Sequence, residues 1–188
     1  MEVAKIDVDE KLASDAAYYA FKTLKFSLDK NMKPRFGDGG LLSHILGKLG
    51  ELVFYRYCLE NKIAVKHTPF RDDYSKLNGN DDFIVSFLGH DFRVEVKTSV
   101  LKNAFNPDEK LRIFYNRDQY KSQKDHNYIV VFIATNKEMN AFAVLGWIHA
   151  EDIKNHPIWE RGLESPAYAI PITALRPMKL FREDGVWK

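Results

Sequence analysis

The chain has 188 residues, of which 45% are apolar and 29% charged, with a formal net charge of +2. That suits one α/β domain with a core of its own, and the charge is too small to announce a nucleic-acid binder unless it is gathered in a patch. No run of about eighteen apolar residues occurs, residues 1–7 lack the apolar stretch of a secretion signal, and the single Cys58 cannot close a disulfide within the chain. These features predict a cytoplasmic protein with no membrane partner.

In chain order, residues 9–30 read as a helix whose apolar stripe is Ala17, Phe21, Leu24 and Leu28, with Asp7 or Asp9 as its cap. Pro34 and the run Gly37–Gly40 mark a loop. Residues 41–60 read as a second helix with a stripe of Leu42, Ile45, Leu46, Leu49, Val53 and Tyr57; Glu51 falls opposite that stripe, beside His44, Gly47 and Cys58. Gly47 and Gly50 each weaken a helix by about 1 kcal/mol relative to Ala, a cost that makes sense if a backbone or ligand comes close. Cys58 is expected to be a buried thiol.

Ile63–Thr68 predicts a strand, and Phe83–Phe87 and Phe92–Lys97 alternate apolar and polar residues around Gly89-His90, as in a β-hairpin. Residues 99–110 read as loop, Leu111–Tyr115 as a short strand and Arg117–Lys124 as a helical turn or two. Tyr128–Thr135 is continuously apolar, which predicts a strand buried on both faces. Ala141–Ile148 is a further strand, with Trp147 packing in the core. His149–His156 is a short helix, Ala167–Ile172 an edge strand by virtue of Pro171, and Leu175–Phe181 the closing segment. The predicted fold class is α/β, a mixed central sheet flanked by helices, in one domain over 1–188: helix and loop at 1–40, core at 41–135, and further strands with a short helix at 136–188.

A turn at Gly89-His90 pairs Phe87 with Phe92, Val85 with Val94 and Phe83 with Val96. Asp82 then lies opposite Lys97, and Ile84 opposite Glu95, on the polar face. Two carboxylates and a lysine on one patch suit Mg²⁺, which takes hard oxygen ligands and can activate water beside a phosphodiester. Lys97 would position or deprotonate that water or stabilise developing charge. The plain alternative is an amphipathic hairpin with a cross-strand ion pair.

Asp82, followed by Glu95-Val96-Lys97 on the partner strand and preceded by a helix with Gly47-Lys48-Leu49-Gly50-Glu51, resembles the PD-(D/E)xK nuclease superfamily, and Gly146-Trp147-Ile148 with the later Leu175-Arg176-Pro177 looks more loosely like its phage and restriction-type members. The residue before Asp82 is Asp81 rather than proline. The resemblance implies a restriction-endonuclease-like core over about 41–135 and an Mg²⁺-dependent DNA endonuclease, with Mn²⁺ as substitute metal. It implies Asp82, Glu95 and the Val96 carbonyl as metal ligands, Lys97 as the catalytic lysine and Glu51 as the helix carboxylate, and it admits a homodimer. By the same likeness Gln119 and Tyr120 are candidates for contact with the site or the DNA backbone.

From Lys97 to Lys124 seven Lys/Arg stand against three acids, and Lys102, Lys121 and Lys124 are candidate phosphate contacts. The six histidines have no zinc spacing, and no P-loop, Gly-x-Gly-x-x-Gly or Gly-x-Ser-x-Gly motif occurs. A binding module of the same fold without catalysis, a junction-resolvase or repair nuclease, and a plain interaction domain remain open.

Overall fold

A computed structural model describes residues 3–29, 40–71, 82–87, 90–120, 127–163 and 165–179. Nine strands and four helices are defined among them. They are β1 (Ala4–Asp7), α1 (Glu10–Asp29), α2 (Leu41–Glu60), β2 (Ala64–His67), β3 (Phe83–Phe87), β4 (His90–Val100), β5 (Arg112–Asn116), α3 (Arg117–Tyr120), β6 (Tyr128–Thr135), β7 (Ala141–His149), α4 (Ala150–Ile153), β8 (Ile158–Trp159) and β9 (Ala167–Pro171). A 3-10 turn follows at Ile172–Ala174.

Six strands form a mixed sheet in the order β1-β7-β6-β4-β3-β2, and three form a small sheet in the order β5-β9-β8. In the large sheet only β4 and β6 run parallel. Alternation along β4 and β6 divides the core. Val94, Val96, Ile129, Val131 and Ile133 face α1 and α2, whereas Val130, Phe132 and Ala134 face the small sheet through Ile113, Tyr115, Tyr168 and Ile170. The α/β class with a mixed central sheet is therefore present, and every residue of β6 is buried, as its unbroken apolar run predicts.

Some local expectations hold, the Asp9 cap and the buried Cys58 among them, and other elements depart from the sequence reading. Asp9 is the cap of α1, its Oδ1 accepting the Leu12 N–H at 2.8 Å. The buried stripe of α1 is Leu12, Ala16 and Ala20, whereas Phe21 and Leu28 are 59% and 67% exposed. Ala17, Phe21, Leu24 and Leu28 have the right period in the wrong phase: α1 lies against α2, and small alanines on the contact face let the two helices approach. On α2, Leu42 is exposed and Cys58 is buried, so the core face is rotated from the predicted stripe. Burial pushes the Cys58 thiol up to about 12, which makes it inert.

The hairpin register is two residues off the prediction. Phe87 pairs with His90, Val85 with Phe92 and Phe83 with Val94. The strands run on further than Gly89-His90 suggests, leaving a connection at 88–89, outside the described residues. A two-residue shift preserves which face each side chain occupies, so the polar patch survives while its pairings change. Strand β9 is the middle of the small sheet, not an edge. Pro171 is tolerated because β8 pairs only with Tyr168 and Ala167 and ends before reaching it. The strands β1 and β8 have no counterpart in the sequence reading. The predicted loop at 99–110 begins later, since β4 extends to Val100.

Candidate active site and adjoining cleft

Strand β4 outruns its neighbour. The described part of β3 begins at Phe83, paired with Val94, so beyond that pair the facing edge of β4 meets Asp82 instead of a strand. The Asp82 N–H donates to the Val94 carbonyl at 3.1 Å, continuing the ladder, and Asp82 Oδ2 accepts the Val96 N–H at 2.8 Å. A strand residue presents its N–H and C=O to the same edge, so the Val96 carbonyl leaves β4 on the side where the Asp82 carboxyl stands. Continuing the register by one residue places Asp82 beside Glu95. The predicted pairing of Asp82 with Lys97 does not form, because the hairpin closes one residue pair tighter than expected.

Glu95 is buried, on the face of β4 that looks toward the small sheet. Its Oε2 accepts the Tyr115 hydroxyl at 2.5 Å and, more weakly, the Tyr128 hydroxyl at 3.4 Å. Its Oε1 pairs with Lys97, two residues on along the same face. The Lys97 ammonium also lies 5.6 Å from the Tyr115 ring centre. The third carboxylate comes from α2, where Glu51 Oε2 pairs with Lys48 Nζ at 2.6 Å across one helical turn, both side chains being only 13% and 12% exposed.

Gly50 is what brings α2 down onto β4. A Cβ there would stand 1.8 Å from Thr98 Oγ1 and 3.0 Å from Thr98 Cβ, so only glycine allows the approach. Gly47 has nothing within 4 Å of a built Cβ and faces open space. The two glycines therefore serve different ends.

The three carboxylates interact electrostatically. Burial first, then the charges of Glu51 and Glu95, push the Asp82 carboxyl up to about 7, against the opposing pull of the Val96 N–H and of Lys97. Excess negative potential of this kind is what a divalent cation relieves. Among the described residues no three His, Cys, Asp or Glu side chains form a ready-made metal cage. The available donors are the Asp82 and Glu95 carboxylates and the Val96 carbonyl, all hard oxygens, with Glu51 nearby. That set fits Mg²⁺, which keeps several waters and needs few protein ligands.

A raised carboxyl pKa fixes the sign of a pH effect. Between the unfolded value near 3.8 and the folded value of about 7, the native state holds a proton that the unfolded chain releases. Stability of the metal-free protein should therefore fall as pH rises through that window. Cation binding requires the ionised form, so the melting-temperature gain from added Mg²⁺ should grow over the same range and level off above it. Melting curves from pH 5 to 8.5, with Mg²⁺ and with chelator, check both trends. A gain independent of pH would remove Asp82 from the ligand set.

Beside this cluster opens a cleft of about 620 Å³. Lys97, Thr98 and Ser99 of β4 line it, together with Ser43, Leu46 and Gly47 of α2, Phe114 and Asn116 of β5, and Gly162, Leu163, Ser165 and Ala167. Asn116 is 8% exposed and is held on two sides. Its Oδ1 accepts the Asp118 and Gln119 N–H groups at 2.7 and 3.2 Å, capping α3, and its Nδ2 donates to Ser165 Oγ at 2.6 Å.

The structure thus brings Glu51, Asp82, Glu95, Val96 and Lys97 into one neighbourhood, but not the remaining candidates. Tyr120 packs edge-on against Tyr168 at 5.4 Å, a core contact, and neither it nor Gln119 lines the cleft. Lys102 is exposed in the turn after β4, five residues and on the order of 16 Å along the chain from Lys97. Lys121, Lys124 and Asp81 lie outside the described residues. His44 is half-buried, and burial, then the Lys48 charge, lower its pKa, opposed by Glu51.

Sequence reasoning missed the two tyrosines that hold Glu95, which arrive from distant strands. It also missed Asn116, for which Asn ahead of Arg117-Asp118-Gln119 was an available helix-cap signal. No protein-family model, no curated protein and no solved structure matches the chain.

Proposed function

We propose that this protein is an Mg²⁺-dependent DNA endonuclease that hydrolyses phosphodiester bonds at Asp82, Glu95 and Lys97, with Glu51 in support. The observation that carries the reading is the Asp82 carboxyl, which accepts the Val96 N–H at the start of β3, next to the buried, tyrosine-held Glu95. Restriction-endonuclease-like topology and Mn²⁺ as a substitute belong to the same proposal.

Each residue has a task that its surroundings suit. Asp82 and Glu95 hold the cation, and Tyr115 keeps Glu95 in a single orientation by fixing Oε2. When bound, the cation supplies a water of lowered pKa and charge stabilisation at the phosphate. Lys97 stands between Glu95 and the cleft, where its ammonium can orient the attacking water or stabilise the charge growing on the phosphoryl oxygens. Glu51 holds Lys48 and accepts a hydrogen bond from it, and its charge helps draw a cation to the site.

The test pairs calorimetry with cleavage. Wild type should bind Mn²⁺ or Mg²⁺ and cut DNA, assayed on plasmid, linear, single-stranded and branched substrates, and chelator should stop the reaction. Asp82→Asn keeps the shape of the side chain and should lower metal affinity by at least tenfold and cleavage with it. Unchanged metal affinity in Asp82→Asn would dismiss the ligand assignment. DNA binding that weakens as salt rises, without cleavage, would leave a binding module.

A further inference from the structure

The outer face of the small sheet is unusual for a surface. Register places Arg112, Phe114 and Asn116 of β5, Ala167 and Ala169 of β9 and Trp159 of β8 on that face, away from the core that Ile113, Tyr115, Tyr168 and Ile170 fill. The two alanines are buried, but Phe114 and Trp159 remain 44% and 45% exposed. Their ring centres are 6.4 Å apart with planes inclined at 56°. The Trp159 indole N–H donates to the Arg161 carbonyl at 2.7 Å, so one edge of the ring is tethered while much of its surface stays in water. Phe114 also lines the cleft that Lys97 lines, and Trp159 packs beside Phe114, so the aromatic pair continues outward from the candidate active site.

Two water-exposed aromatic rings, kept out of the core and joined to a cleft with a catalytic lysine, ask for a ligand with π-faces. Bases in a duplex stack on each other and offer only their edges, whereas unpaired bases stack on protein aromatics with little regard to sequence. We infer that the cleft takes a single-stranded or locally unpaired polynucleotide, with successive bases stacking on Phe114 and Trp159 while the backbone passes Lys97. Arg112, exposed on the same face, supplies positive charge to the strand beyond Phe114. This inference rests on the phosphodiester reading for the cleavage step, but the binding platform stands on its own geometry.

The experiment measures binding with Ca²⁺ in place of Mg²⁺, by fluorescence anisotropy. The probes are a labelled 12-nucleotide DNA strand, its duplex, and an abasic strand of equal length and charge. Wild type should prefer the normal strand to the abasic strand by about 100-fold, two stacked bases contributing about tenfold each, and to the duplex by at least about tenfold. Phe114→Leu and Trp159→Leu keep an apolar side chain and remove the π-face. Each should lower normal-strand affinity by about tenfold and leave abasic binding unchanged. Equal wild-type affinity for normal and abasic strands overturns the inference without any variant, so a poorly folded mutant does not shield it. Cleavage of duplex with no ring dependence overturns the inference and leaves the nuclease proposal standing. Ring-dependent strand binding with no cleavage in Mg²⁺ supports the inference and removes the nuclease proposal. Failure to bind or cut any DNA removes both.

Discussion

Lys97→Ala is expected to lower the DNA cleavage rate by about 10²–10⁴-fold while leaving most metal binding intact, since a positioned charged or general-base group typically contributes that much. The structure refines the expectation. The Lys97 side chain is only 25% exposed and pairs with Glu95, so it is not the freely solvated strand residue that the sequence suggests. Its removal leaves the Glu95 charge to the Tyr115 and Tyr128 hydroxyls. A stability loss of about 1–3 kcal/mol should accompany Lys97→Ala for that reason. Lys97→Gln keeps a donor for Glu95 and removes the positive charge, so it should recover much of the melting temperature and almost none of the rate. Near wild-type cleavage by folded Lys97→Gln would make Lys97 a structural partner of Glu95 and end its catalytic assignment.

Gly50→Ala should be strongly destabilising for the addition of a single methyl group. In an ordinary helix the substitution would stabilise by up to about 1 kcal/mol. Here the new Cβ stands 1.8 Å from Thr98 Oγ1, and rotating the Thr98 side chain still leaves its Cβ at 3.0 Å. The helix α2 has to lift from β4, at an overpacking cost of about 1–3 kcal/mol net. For a chain of this size that lowers the melting temperature by roughly 2–12 °C. Glu51 is the next residue, so the same displacement draws its charge away from Asp82 and should weaken metal binding. Thr98→Ala in the same chain should recover part of the loss, with a coupling of about 0.5–3 kcal/mol. Gly47→Ala is the control: with nothing within 4 Å, it should be neutral or slightly stabilising. A stable Gly50→Ala would mean that α2 does not rest on Thr98.

What could be read in the sequence was local. Unbroken apolar residues from Tyr128 to Thr135 announced β6, and the span of α2 follows from its spacing of apolar residues. The face shared by Asp82, Glu95 and Lys97 was legible because side chains alternate along a strand, and it survived a register error of two residues. Pairings across long sequence distances were not legible. Nothing in Glu95 announces Tyr115 and Tyr128, 20 and 33 residues away, as its hydrogen-bond donors. The phase of α1 was misread because bulk was taken as the sign of burial, whereas its buried residues are Leu12, Ala16 and Ala20. The small sheet was missed as a unit because β8 is two residues long and β9 carries a proline.

The completeness of β6 burial has a consequence for the route by which the chain folds. An eight-residue segment of Tyr, Ile, Val, Val, Phe, Ile, Ala and Thr, with no charge and no proline, is the kind of sequence that assembles into cross-β fibres when its edges are bare. Its two edges are covered on different timescales. Strand β7 follows across a short turn and can close a hairpin in microseconds. Strand β4 pairs in parallel, Arg93 with Tyr128, and so must return from 35 residues upstream by a slower, non-local search. Until it arrives, the edge of β6 that will meet β4 is open to other copies of the same segment. The residues that carry Glu95 and Lys97 therefore also shield this aggregation-prone strand, so the site's own strand guards the fold against self-association.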